Sequence, residues 1–257
     1  MGKNCDIIWH DILDSTNSEA ERRLSSIDNM SVIAAVTQTA GRGQRGNRWE
    51  SAPGENLTFT IVMKFGLPYG RRLAADGQFL TSEVTAIAVT GFLRSHHIEA
   101  KIKWPNDIYV GDRKICGILI RHCIHGNEVA ATIAGIGLNV NQTVFSPGIP
   151  NPVSMAMLTG QRYDIRESLK AFVTVFSHVL DDAFSDGGIE RTEKMYLDLL
   201  YRKDEAHRYI DCRTGKEFTG IIRGVSRNAC LKVEMPDGST GEYAFKEIAY
   251  IIDDERL

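Results

Sequence analysis

Asp107-Ile108-Tyr109-Val110-Gly111-Asp112-Arg113-Lys114-Ile115-Cys116-Gly117-Ile118-Leu119, continuing through His125-Gly126-Asn127 into the apolar stretch from Val129 to Val140, decides the fold of this chain. Apolar and β-branched residues dominate 107–110 and 114–121, and the Gly111-Asp112 dipeptide between them suits a type II′ hairpin turn. The His125-Gly126-Asn127 segment turns the chain again. Consecutive hairpins interleaved with helical patterns predict an α+β fold with a mixed sheet and flanking helices, not a βαβ dinucleotide fold.

Upstream, Ser15 to Leu24 opens on Thr16-Asn17-Ser18-Glu19, a capping-box spacing, and predicts a helix. Residues 32–36 and the alternating run 56–63 predict strands. Leu80, Val84, Ile87 and Gly91 step by four, three and four, so 75–95 reads as an amphipathic helix. Downstream, a loop spans 147–152, helices are expected over 165–184 and 189–201, and composition changes after about Lys203. Short strand signals at 217–223, 230–235, 241–245 and 248–252, with turns at Asn228 and Pro236-Asp237-Gly238, have the spacing of a small all-β barrel. The expected division is therefore residues 1–203 and residues 204–257.

The 257 residues carry 30 Lys and Arg against 33 Asp and Glu, a net charge of −3 that argues against a protein devoted to neutralising nucleic-acid phosphates. Apolar content of 43% and charged content of 25% exclude disordered and fibrous classes. Five cysteines (Cys5, Cys116, Cys123, Cys212, Cys230), odd in number and without a CxxC pair, read as reduced thiols. The start shows no targeting signal, and prolines and amides break the longest charge-free stretch, so a cytoplasmic protein with no membrane partner is expected.

Four segments carry chemistry. Gly41-Arg42-Gly43-Gln44-Arg45-Gly46-Asn47-Arg48-Trp49 combines backbone freedom with planar cationic donors matched to carboxylate and phosphate oxygens. Its glycine spacing is neither a Walker loop nor a dinucleotide fingerprint. Ordering such a loop costs about 1–2 kcal/mol per residue, so it is expected to move when empty and to close around an anion through several bonds at once. In Lys103-Trp104-Pro105-Asn106-Asp107, Trp104 reads as a core aromatic, and Asn106 and Asp107 could simply cap a turn. Lys114 opens an apolar strand, and Gly117 shortly after it leaves room for a ligand against the sheet. Gly135-Ile136-Gly137-Leu138-Asn139 places two glycines in one strand, which signals close approach of another group. Ser15-Thr16-Asn17 alone reads as a helix cap. His122, Cys123 and His125 on a hairpin read as surface and core residues rather than metal ligands, and Asp181-Asp182 and Asp253-Asp254 as solvated acidic pairs.

Taken in order, Ser15-Thr16-Asn17, Gln38, the Gly-Arg-Gly loop ending in Trp49, Lys103 to Asp107, the Lys114 strand, Gly135 to Asn139 and the small barrel resemble the biotin protein ligases (biotin–[acetyl-CoA-carboxylase] ligases) over essentially the whole chain. The resemblance implies two half-reactions: biotin's carboxylate attacks the α-phosphate of ATP to give biotinyl-5′-AMP, and a lysine of a biotin carboxyl carrier protein or domain then takes the acyl group. ATP and biotin are the implied substrates, with Mg²⁺ offsetting their repulsion and its ligands unassigned. By matching motif positions, Arg42, Lys114 and Asp107 are the implied catalytic residues, Asp107 as base for the incoming lysine or as a metal ligand. Ser15, Thr16, Asn17, Gln38, Gly41, Arg42, Gly43, Gln44, Lys114 and Gly117 are the implied biotin contacts. Arg45, Arg48, Trp49, Asn106 and Asn139 are the implied ATP contacts, with a core role for Trp49 left open.

Two departures stand out. The family loop commonly reads Gly-Arg-Gly-Arg with a further arginine near the tryptophan, where this chain has Gln44 and Asn47. The first motif begins at residue 15, leaving no room for the helix-turn-helix domain of repressor-type members, so a monofunctional ligase without a DNA partner is expected; a homodimer is compatible with this reading. Lipoate ligases or lipoyl transferases share the broad fold and remain an alternative, as does a non-catalytic biotin-binding module.

Overall fold

The computed structural model describes residues 6–252. Cys5 and the Asp253-Asp254 pair lie outside the described residues; Cys116, Cys123, Cys212 and Cys230 are all free thiols.

The sheet is built around β3 (Leu57–Lys64), whose alternating sequence serves two different faces. Phe59, Ile61 and Met63 enter the main core, where Phe59 meets Phe172 edge-on at 5.1 Å between ring centroids. Thr58 and Thr60 point the other way, each hydroxyl satisfied by a partner rather than left bare. β3 pairs antiparallel with β2 (Val32–Gln38) on one side and with β7 (Glu128–Leu138) on the other. Beyond β7 the order continues through β6 (Arg113–His125), β5 (Asp107–Val110) and β4 (Lys101–Lys103), each antiparallel to its neighbour. Both expected hairpins are present, with Gly111 at φ +56° and Gly126 at φ +59° in the turns.

At the opposite edge lies β1 (Ile7–Leu13), which the sequence reading missed. It runs parallel to β2 through the helix α1 (Thr16–Arg23), so one β-α-β unit borders an otherwise antiparallel sheet. A half-exposed edge strand has little core to bury, and its apolar residues are interrupted by His10 and Asp11.

α1 covers the threonine face of the sheet; α2 (Leu80–Ser95), α4 (Ile165–Ala183) and α5 (Gly188–Asp198) cover the other. The reading of α2 as a one-sided helix needs correction: the helix begins at Leu80 after a separate 3-10 turn at Ala75–Gly77, and it lies between the sheet and two helices. Most of its circumference is therefore buried, Glu83 included. A short helix α3 (Met155–Thr159), capped by the Ser154 hydroxyl, also escaped the sequence reading. Among the described residues no helix is long and apolar enough to cross a membrane.

The chain crosses to a second sheet between Asp198 and Ala206. This sheet orders β11 (Thr240–Tyr243), β10 (Leu231–Glu234), β9 (Lys216–Val225), β8 (Ala206–Asp211) and β12 (Ile248–Tyr250), all antiparallel. It is the small all-β unit expected after residue 203, with β11 and β12 at the two ends of its ladder order; β8 was not among the expected strands. Tyr209, Ile222, Leu231 and Val233 join the same hydrophobic cluster as the main core, so the two sheets share one apolar interior.

Burial, reinforced by the charge of Glu193, pushes the Glu83 carboxyl from its ordinary 4.5 up to about 7. Because the folded value lies above the unfolded one, the stability it confers is complete below pH 4.5 and is lost as pH rises through 7. Glu83→Gln is expected to raise the unfolding free energy at pH 8, by at most about 3 kcal/mol, and to leave it nearly unchanged at pH 4. Urea unfolding at the two pH values reads the difference.

Candidate active site

On the threonine face, three glycines remove side chains from the β6–β7 ladder, where Leu119 pairs with Gly135 and Gly117 with Gly137. Asn17 from α1 lies so close over Gly135 that a methyl group there would meet its Oδ1 at 2.1 Å. The Trp49 indole lies over Gly137, where a methyl group would meet its Cε2 at 2.3 Å, and it also reaches Gly117. The close approach expected from the paired glycines is thus real, and the groups that approach are Asn17 and Trp49. The room over Gly117 is likewise taken by Trp49 and by the Lys114 ammonium.

Ser15 stands at the N-cap position of α1 with extended backbone, yet its side chain makes no capping bond. The cap reading of Ser15-Thr16-Asn17 therefore gives way to a polar cluster aimed at the sheet. The Gln38 carbonyl oxygen accepts from the Thr16 backbone N–H at 2.8 Å, and the Asn17 amide donates to the Leu119 carbonyl at 3.1 Å. Thr60 Oγ1 lies 2.6 Å from Asn17 Oδ1 and 2.8 Å from Thr16 Oγ1. Thr60 was missed from sequence; its signal is the Thr58-Thr60 alternation in an otherwise apolar strand.

The glycine-arginine loop has its own fold. Trp49 N–H donates to Gly41 O at 3.0 Å and Gly43 N–H to Asn47 O at 2.7 Å, with Arg42 bridging Arg48, so the segment is a tight hairpin closed on itself. Gly41 is required there, since a methyl group would meet the Trp49 carbonyl oxygen at 2.4 Å. Arg42 is exposed, and Arg48 donates to the Thr39 carbonyl at 3.0 Å. The Arg45 side chain lies outside the described residues. Two polar atoms of this loop, Gln44 Oε1 and Trp49 Nε1, are buried without a hydrogen-bond partner, an arrangement that costs free energy until a ligand or water satisfies it.

Lys114 is anchored at both backbone groups. Its N–H donates to Asn151 O at 2.7 Å and its carbonyl accepts from Val153 N–H at 2.9 Å, which ties the 147–152 loop to β6. Its ammonium pairs with Asp107 at 2.7 Å and stands 5.9 Å from the Trp49 ring centre. Asn106 is pinned beside them, its amide donating to Ile118 O at 2.7 Å.

Two adjoining clefts meet at Lys114. The first, with about 180 Å³ of free space beside the inserted indole, is lined by Ser15, Thr16, Asn17, Gln38, Arg42, Gly43, Gln44, Arg48, Trp49, Asn106, Asp107, Lys114 and Gly117 among others. The second, of about 410 Å³, shares Asn47, Arg48, Trp49 and Lys114 and adds Asn139 with the apolar wall Phe145, Ile149, Pro150 and Pro152. The structure thus gathers nearly all the expected site residues. Gly41 supports the loop from outside the first cleft, and Asn139 reaches only the second, its amide bound to the Val153 carbonyl at 3.0 Å. Phe245, which the sequence reading did not single out, brings the C-terminal sheet to the rim of the first cleft. Among the described residues no group of three or more His, Cys, Asp or Glu could hold a metal ion.

A polar pocket on a mixed sheet, ending at a lysine–aspartate pair beside an arginine-bearing loop, is the plan of an acyl-activating ligase. The model of the Biotin/lipoate A/B protein ligase family matches residues 9–139, and the chain belongs to that family. A biotin–[acetyl-CoA-carboxylase] ligase of Paracoccus denitrificans is 30% identical over 230 residues, covering 88% of this chain and 92% of its own. The bifunctional ligase/repressor of Bacillus subtilis (strain 168) is 27% identical over 212 residues, covering 80% of this chain but 56% of its own length. Among solved structures, the biotin protein ligase from Aquifex aeolicus in complex with biotin and ATP superposes with a TM-score of 0.75 at 22% identity, over 95% of this chain and 97% of that one, and shares the fold.

Because the indole rests where a side chain on residue 137 would stand, Gly137→Ala is expected to expel it from the first cleft. Red-shifted tryptophan emission with an unchanged far-ultraviolet spectrum is the predicted readout; unchanged emission would mean the sheet, not the ring, had moved.

Proposed function

We propose that this chain is a biotin–protein ligase that makes biotinyl-5′-AMP from biotin and ATP and passes the biotinyl group to a lysine of a carrier domain of acetyl-CoA carboxylase. The observation that carries the reading is the line of groups along one sheet face. The Thr16–Asn17–Gln38–Thr60 cluster lies over Leu119 and Gly135, the Trp49 ring over Gly137 and Gly117, and the Lys114 ammonium at the edge of Gly117. Such a line suits a molecule with a hydrogen-bonding ureido head, an apolar chain and a terminal carboxylate. The relatives named as biotin ligases support the same substrate.

In the first step a biotin carboxylate oxygen attacks the α-phosphorus of ATP. The acyl–oxygen–phosphorus bond forms, the bond to the β-phosphate breaks, and pyrophosphate leaves. Both reactants are anions, so Lys114 at the junction of the clefts, with Arg42 and Arg48 alongside, offsets their repulsion. The second cleft, apolar on one wall and cationic on the other, suits the nucleotide. Asp107 in the first cleft and Glu50 in the second are the carboxylates that would stand near a magnesium ion brought in with the nucleotide, and such an ion would supply charge neutralisation.

In the second step the carrier lysine's amine attacks the acyl carbon and AMP leaves. Asp107 is the carboxylate on hand to accept the amine's proton, once Lys114 has turned from it to the substrate anion. Residues 1–203 supply both clefts, and residues 204–257 contribute Phe245 at the rim. Free cysteines and an ATP-consuming reaction suit the cytoplasm.

Incubation with biotin, ATP, Mg²⁺ and a carrier domain, read by mass spectrometry, should show a carrier gaining one biotinyl group; a carrier modified only when lipoate replaces biotin would overturn the reading. Lys114→Ala should abolish adenylate formation while the protein still unfolds cooperatively, because the Lys114–Asp107 pair, 29% and 20% exposed, borders a cleft whose water can rehydrate the carboxylate left behind. Collapse of the fold in that variant would make the lysine structural.

A further inference from the structure

The roles above use Asn106 and Asp107 but leave the residues just before them, Lys103 and Trp104, without a part. Lys103 ends β4, and its ammonium stands 5.1 Å from the ring centre of Tyr109 on β5 and 4.7 Å from that of Tyr250 on β12. One cation is therefore shared between a ring of the main sheet and a ring of the C-terminal sheet. Burial pushes the Lys103 amine's pKa down, and the charge of Asp107, its register partner across β4–β5, acts in the opposite sense.

The surrounding seam is a run of tyrosines. Tyr109 meets Tyr201 at 5.5 Å, Tyr201 meets Tyr250 at 6.0 Å, and Tyr250 meets Tyr209 at 5.4 Å between ring centres. The hydroxyls of Tyr209 and Tyr250 are buried without hydrogen-bond partners, so the seam is held by ring faces, by the Lys103 ammonium and by Arg202, which stands 4.9 Å from the Tyr201 ring centre and donates to the Ile251 carbonyl at 2.8 Å. Trp104 grips the same sheet at a second place. Its indole N–H donates to the Ala229 carbonyl at 3.2 Å, and its ring meets Phe245 at 6.5 Å. Phe245 in turn lines the first cleft.

We propose that Lys103 is a positioning residue: by clamping Tyr250 against Tyr109 it seats the C-terminal sheet as a lid, so that Phe245 closes the cleft over the acyl-adenylate and keeps it on the enzyme until the acceptor amine arrives. The inference rests on the ligase reading and assigns this chain's second sheet a task within it. An apolar side chain could fill the slot but could not bind two ring faces electrostatically; an arginine could.

The test separates formation of the intermediate from its escape. Full-length wild-type protein, Lys103→Met, Tyr250→Leu and Lys103→Arg are mixed with biotin, ATP and Mg²⁺; the pyrophosphate burst gives formation, and a chase after rapid gel filtration gives escape of the labelled adenylate. Lys103→Met and Tyr250→Leu are expected to escape about tenfold faster with formation within about twofold of wild type, and Lys103→Arg to behave as wild type. Unchanged escape in Lys103→Met, or a parallel fall of burst amplitude and melting temperature that Lys103→Arg does not rescue, would overturn the lid. If the wild type itself shows no burst, the ligase reading fails, and the lid fails with it.

Discussion

The site depends on the absence of side chains at three adjacent places in the β6–β7 ladder. At Gly135, Gly137 and Gly117 the sheet backbone is bare, so an asparagine from α1 and a tryptophan from a distant loop lie directly on it. A methyl group at the first two places would overlap those residues by more than packing can absorb. Glycine is costly in a strand, because it loses more backbone freedom than any other residue and packs nothing. The fold carries that cost where β6 and β7 are joined by a long antiparallel ladder and β7 is held on its other side by β3. The rigid sheet supplies the floor, and α1 and the 41–49 loop supply the walls.

Charge is arranged around this floor with equal economy. Lys114 is fixed through its backbone to the 147–152 loop and through its ammonium to Asp107. One residue thereby sets the junction of two clefts, and the carboxylate keeps the ammonium in place until a substrate anion competes for it. Arg42 and Arg48 face more open surroundings, which leaves them free to meet an anion without first breaking a buried bond. The unpartnered Gln44 oxygen and Trp49 nitrogen mark where binding energy is still to be gained.

Much of this was legible in order along the chain. The two hairpins, the α+β class, the mixed sheet and the loop and lysine motifs followed from periodicity, turn chemistry and residue type, all of which act within a few residues. What escaped was decided by neighbours far away in sequence. β1 pairs with β2 through a ladder that its own interrupted apolar pattern does not announce. Thr60 became part of the site only because α1 placed Thr16 and Asn17 against it. The strand spacing after residue 203 announced the small all-β unit but not β8, nor which strands would stand at the ends of its ladder.

By itself, then, the sequence determined the hairpins, the longer helices and most of the strands, and which residue types stand ready for anionic chemistry, because backbone propensity and side-chain chemistry are local properties. Tertiary structure alone decided that Ser15 would face the cleft instead of capping its helix, that the bare strand would be covered by Trp49, and that Glu83 would lose its water between three layers. It also brought Lys103 between rings from two sheets. Those outcomes depend on burial and on which surfaces meet, and neither is a property of any segment taken alone.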